Sequence, residues 1–161
     1  MKQITVLGVG NILMQDEGFG VRVVEQLLKQ YSFPQNVQVL DGGTLGMELL
    51  RFLVGTDLLI LVDAVAGSLP PGSLYHFPNN EVKAYFKEKV SMHELGIQDV
   101  LAIMDVMEKP VQEIMILGVQ PLTVDIGLEM TPIVAKKVDE IVEQILLVLH
   151  EWQVEVVKID E

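Results

Sequence analysis

Cysteine is missing from this chain of 161 residues. Disulfides, thiolate metal sites and a cysteine nucleophile are excluded together. Long apolar segments are missing too. The longest apolar runs, such as Leu58–Val62 and Ile145–Leu149, are five residues, whereas a spanning helix needs about twenty. No membrane partner is expected. Met1-Lys2-Gln3 leads straight into a strand-like run, without the apolar segment or small-residue cleavage site of a signal peptide. The expected location is the cytoplasm. Basic residues are scarce: 11 Lys and Arg stand against 23 Asp and Glu, a formal net charge of −12. That balance speaks against nucleic acid and anionic lipid as partners. It suits a basic protein or a bound cation, and it would equally serve only to keep an apolar-rich domain in solution. Repeats, low-complexity tracts and Gly/Ser linkers are absent as well, so residues 1–161 are read as a single domain.

What is present is an alternation of strand and helix patterns. Half of the residues are hydrophobic, which rules out a disordered chain. Ile4–Val9 is a buried-strand pattern ending in glycines, followed by a glycine-rich loop. Val21, Val24, Leu28 and Tyr31 then mark a helical stripe, stopped by Ser32-Phe33-Pro34. Val37–Leu40 predicts a second strand closed by Asp41-Gly42-Gly43, and Thr44 predicts the cap of a short helix through Phe52. Leu58–Val62 predicts a third strand, ending at Asp63. Three strands joined by two helical crossovers predict a parallel sheet, hence an α/β fold. Ser73–Phe77 follows the third strand without room for a helix, so it is expected to run antiparallel at or near an edge. Ser91 and Glu94 read as a capping box, and Leu95, Val100, Leu101 and Met104 continue that helix. Glu113–Val119 predicts the last core strand, and Thr131-Pro132 opens a long final helix buried along Val134, Val138, Ile141, Ile145 and Leu149. Val154–Ile159 is either a frayed tail or a short extra strand.

Ligands of open parallel sheets bind beyond the carboxyl ends of the strands. The polar residues expected there are Asp16 and Glu17 after the first strand, Asp41 after the second, Asp63 after the third, and His93 at the start of a helix. Glu17, Asp63 and His93 together offer two carboxylates and an imidazole. Such a trio suits a divalent first-row metal and leaves positions open for substrate. The positive end of a helix keeps the His93 ring neutral and able to ligate. Each residue also has a plainer use. Asp16 and Glu17 could form the acidic first turn of a helix, Asp63 could cap a turn, and His93 could only occupy a capping box. His76 alternates with strand aromatics and His150 suits a helix C-terminus, so both read as structural. Gly8-Val9-Gly10 also matches the first two glycines of a dinucleotide fingerprint, with Asp41 where a ribose-binding acid would stand. Leu13 occupies the third glycine position, and two adjacent carboxylates would repel a pyrophosphate.

The stretch Leu7-Gly8-Val9-Gly10-Asn11-Ile12-Leu13-Met14-Gln15-Asp16-Glu17-Gly18-Phe19-Gly20 closely resembles the opening motif of hydrogenase maturation endopeptidases. The resemblance continues through Asp41-Gly42-Gly43-Thr44, Val62-Asp63-Ala64, Ser91-Met92-His93-Glu94-Leu95-Gly96 and Leu117-Gly118-Val119-Gln120-Pro121, and reaches Thr131-Pro132. It implies a three-layer αβα sandwich around a twisted five-stranded sheet. It also implies an endopeptidase of aspartyl type that removes the C-terminal extension from the precursor of the nickel–iron hydrogenase large subunit. The nickel contacts of the family fall on Glu17, Asp63 and His93, and a further acid of substrate processing falls on Asp41. The catalytic set is thus Asp41, Asp63 and Glu17. Nickel is implied as the substrate's own metal, already inserted, and not as a permanent cofactor. The enzyme is taken as a monomer whose partner is that precursor. Two routes to activated water stay open: a carboxylate base, or polarisation by nickel. The competing readings are a metallohydrolase holding its own metal on the same trio and, less favoured, a nucleotide-binding module.

Overall fold

A computed structural model describes residues 1–82, 85, 86 and 92–159; for residues 92–95 the description is of the backbone alone. The strands are β1 (Ile4–Val9), β2 (Tyr31–Ser32), β3 (Val37–Gly43), β4 (Leu58–Ala64), β5 (Leu74–Phe77), β6 (Glu113–Val119) and β7 (Val157–Lys158). The helices with defined bounds among the described residues are α1 (Phe19–Gln30), α2 (Leu50–Leu53), α3 (Met92–Val106), α4 (Pro132–Ala135) and α5 (Val138–Glu151). Five strands form the main sheet in the order β3-β1-β4-β6-β5. All neighbours are parallel except β5, which runs antiparallel to β6 at the edge. The expected mostly parallel sheet with one antiparallel strand is therefore the observed one.

Burial explains why the strands read as continuous apolar runs. β4 lies in the middle of the sheet, and all seven of its residues are buried. Side chains of a strand alternate between faces. Leu58, Ile60, Val62 and Ala64 enter the core beneath α1 and α5, with Phe19, Val23, Leu27, Ile141 and Ile145. Leu59 and Leu61 enter the opposite core, with Leu49, Leu53 and the α3 residues Ile97, Val100 and Met104. Two helical layers thus sandwich the sheet. Each fully buried Leu, Ile or Phe contributes about 1.5–3 kcal/mol of transfer free energy, so both layers are held firmly.

Several local expectations are corrected. The buried side of α1 is Phe19, Val21, Val23, Val24 and Leu27, while Leu28 is exposed and Tyr31 belongs to β2. The apolar arc is therefore wider than the stripe drawn through Leu28, and it faces both β4 and α5. Thr44 caps no helix; a 3₁₀ turn begins at Met47 after Gly46, and α2 is only Leu50–Leu53. The final helix is interrupted at Lys136–Lys137 into α4 and α5, although its five expected core residues are all buried. Thr131 makes no side-chain cap, because its hydroxyl donates to the Asp16 carboxylate at 2.8 Å. The C-terminal tail forms a short strand, β7, antiparallel to β2. The Ser91–Glu94 capping box rests on Ser91 and the Glu94 side chain, which lie outside the described residues.

Candidate functional site

The carboxyl edge of the sheet is built by close backbone approaches. Gly10 has φ of 129° and donates its N–H to the Gly43 carbonyl at 2.8 Å. A side chain at Gly10 would overlap the carbonyl oxygen of Glu17. The chain after β1 therefore folds back as a 3₁₀ turn, Gln15–Gly18, with the Glu17 backbone resting on Gly10. A side chain at Gly20 would overlap the Val62 carbonyl oxygen and approach that of Val9 within 2.6 Å. The start of α1 thus sits directly on the ends of β1 and β4, and Glu17 is fixed beside them. These contacts also account for the glycine pattern without a nucleotide. The space a pyrophosphate would need beside Gly10 is filled by the protein's own Glu17 carbonyl.

Asp63 is the penultimate residue of β4 and is fully buried. The two-residue period puts it on the face of Leu59 and Leu61, toward the layer of α3. Its Oδ1 accepts the Ala64 N–H at 2.8 Å, and its Oδ2 accepts the Tyr85 hydroxyl at 3.1 Å. Tyr85 is itself buried, tilted against Phe77 and Phe86 with ring centroids 5.1 and 5.2 Å away. A buried carboxylate needs such hydrogen bonds to be tolerated. Asp41 differs. It lies on the edge strand β3, level with Gly8 of β1 and exposed to solvent, just before the register irregularity at the strand end.

His93 belongs by its backbone to the first turn of α3, and its side chain lies outside the described residues. Three residues on, a side chain at Gly96 would come within 2.7 Å of the Gly46 Cα. Two glycines therefore let the start of α3 press against the loop that follows β3. The topology brings the Glu17 turn, the Asp63 strand end, the Asp41 strand end and the first turns of α3 to one edge. Among the described residues no group of three or more metal-binding side chains occurs; the expected trio includes His93, whose imidazole is not among them. His76 on β5 and His150 near the end of α5 are exposed and lie in other elements.

Asp16 takes a role that spacing did not reveal. It is fully buried. Its Oδ2 accepts the Leu122 and Thr123 N–H groups at 2.9 and 3.0 Å and the Thr131 hydroxyl, while its Oδ1 accepts the Thr131 N–H at 2.7 Å. Asp16 is thus a latch for the segment after β6. Neither its partners nor the Tyr85–Asp63 bond carries a local sequence signal. The partners of Asp16 lie 106 to 115 residues away.

Comparison with known proteins places this geometry in context. A family model described as hydrogenase maturation protease matches residues 21–148. The hydrogenase 2 maturation protease of Escherichia coli K12 is 40% identical over 156 residues, covering 96% of this chain and 95% of that protein. The hydrogenase expression/formation protein HupD of Rhodobacter capsulatus is 38% identical over 98% of this chain and 76% of its own length. The solved structure of the hydrogenase maturating endopeptidase HybD from E. coli superimposes with a TM-score of 0.92, at 39% identity and with 97% of each chain covered. Among the described residues, no helix is long and apolar enough to cross a membrane.

Proposed function

The chain belongs to the hydrogenase maturation protease family, and from that premise we propose that it cuts one peptide bond near the C-terminus of a nickel–iron hydrogenase large-subunit precursor after nickel has entered it. The observation that carries the proposal is Asp63, a fully buried carboxylate at the carboxyl end of the middle strand, on the face that looks toward α3. Glu17 is fixed beside the ends of β1 and β4 by the Gly10 and Gly20 contacts, and His93 lies in the first turn of α3. In this reading Glu17, Asp63 and His93 grip the nickel of the substrate, and the enzyme holds no metal of its own. Two carboxylates and an imidazole form an open donor set of the kind a borderline divalent ion accepts. Cleavage then reports that metal loading is complete.

Hydrolysis needs an activated water at the scissile carbonyl. Asp41 is the exposed acid of the edge, and it is assigned with Glu17 and Asp63 to the catalytic set. The proton of that water goes to a carboxylate of this set, or the substrate's nickel polarises the reacting group in its place. The protein works in the cytoplasm as a monomer. The proposal is tested by incubating it with the purified precursor in nickel-free and nickel-loaded forms. Cleavage of the loaded form alone supports it. Equal cleavage of both would assign the trio to an ordinary hydrolase with its own metal.

A further inference from the structure

The segment between β6 and α4 is apolar on its outside, yet firmly held. Ile126 is 89% exposed and Leu128 62% exposed, and Leu122, Val124 and the facing Leu13 are exposed as well. A loose loop would turn such side chains inward, because exposing them costs transfer free energy. This one is prevented from doing so. The Asp16 carboxylate holds both of its ends through Leu122, Thr123 and Thr131. Gly127 donates to the Leu13 carbonyl at 2.8 Å, Gln15 donates to the Gly127 carbonyl at 3.0 Å, and Asp16 donates to the Thr123 carbonyl at 3.1 Å. Arg22 donates to the Leu128 carbonyl at 3.2 Å. Gln15 sits at φ of 51°, the left-handed region that a non-glycine residue occupies only when its surroundings impose it.

The position of this ridge gives it a use. The segment starts at the end of β6 and is bonded to the turn after β1, and these are the two strands that flank β4 and its Asp63. The latch residue Asp16 is the chain neighbour of Glu17. A substrate chain laid across the ridge would therefore lead toward the carboxyl edge beside Glu17. The ridge from Gln120 to Thr131 contains no Lys or Arg but carries Asp125 and Glu129, both exposed, within a chain of net charge −12. The cation that touches the ridge, Arg22, is paired with Glu25 at 3.1 Å, so an apolar strip bordered by acids selects an apolar strip bordered by bases.

We infer that the Leu13 and Leu122–Leu128 ridge is the docking surface for the protein substrate, which meets it with an apolar segment flanked by Lys or Arg. This rests on the proposed function for the identity of the substrate. The Asp16 latch makes docking and the placement of Glu17 parts of one rigid unit, so the ridge fixes where the substrate lies relative to the site.

The test uses the nickel-loaded precursor as the probe, with binding and cleavage measured separately. In Ile126→Glu/Leu128→Glu the exposed positions tolerate the change, which an unaltered unfolding midpoint checks. Affinity for the immobilised precursor should fall at least about tenfold, as when the apolar centre of an interface is lost, and the cleavage defect should sit in KM. Val106→Glu, exposed at the far end of α3, should bind as the wild type does. Unchanged affinity in the double variant overturns the docking surface even if cleavage is normal. So does a wild-type chain that fails to bind the precursor. A wild-type dimer that the double variant converts to monomer would give the ridge to a second copy and overturn the inference. Binding that depends on the ridge but is followed by no cleavage would leave docking intact and refute the proteolytic reading instead.

Discussion

The two ends of the sheet are built differently among the described residues. At the amino edge, the first residues of β1, β4 and β6 line a cavity of about 790 Å³ together with Lys2, Pro34 and Trp152. At the carboxyl edge, glycines bring backbone against backbone, and the acids stand among them. Volume alone would favour that hollow as a ligand site. The chemistry points the other way. The amino-edge lining has Glu113, Glu151 and Glu155 but no buried carboxylate, and the carboxyl ends are where parallel sheets place ligands. A peptidase acting on a folded protein needs fixed groups on an accessible rim, and the carboxyl edge holds them.

Substitutions at the carboxyl edge should therefore have the largest effects. Asp63→Asn and His93→Ala are each expected to slow precursor processing by about 10²–10⁴-fold, the range for loss of an acid–base or ligand group, with an unchanged circular dichroism spectrum. Glu17 sharpens the point. Glu17→Gln keeps a coordinating oxygen and should process faster than Glu17→Ala if the side chain only grips the metal. Equal, complete loss in both would identify the carboxylate as the base.

The next effect is on stability. Asp16→Ala leaves three backbone N–H groups and a hydroxyl without their acceptor, which should cost about 2–4 kcal/mol, since each buried donor left unsatisfied costs about 1–3 kcal/mol when not rescued by water. Urea unfolding measures it, and a loss below about 0.5 kcal/mol would deny that Asp16 is a latch. The smallest effect belongs to the amino edge. Lys2→Ala removes an exposed hydrogen bond to Gln112 and should shift stability by less than about 0.5 kcal/mol, with processing rates unaltered. A processing defect there would break the contrast between the two edges.

The sequence made legible whatever is repeated along it. β1 and β4 are plain because they are buried on both faces, and β5 because the stretch before it is too short for a crossover helix. Asp41, Asp63 and Glu17 follow strand ends and His93 opens a helix, so topology points them to one edge, while their use as a site rests on the resemblance of the motifs around them. What stayed hidden depends on contacts distant in sequence. Thr131 looked like a cap until Asp16, 115 residues earlier, took its hydroxyl. Asp16 looked like the twin of Glu17, yet one is buried under the β6–α4 segment and the other stands only half-buried at the edge. A stripe drawn through Leu28 misses the buried face because period alone cannot say how wide that arc is once α5 packs beside α1. Tyr85 gave no signal, since its partner Asp63 is 22 residues away and in another element.

The measurement that bears most directly on the carboxyl edge as a reader of nickel is the paired digestion of the precursor by the wild-type protein, freed of metal beforehand. The nickel-loaded precursor should be trimmed to its mature length while the nickel-free precursor stays intact. Trimming of the nickel-free precursor at the same rate would contradict the account.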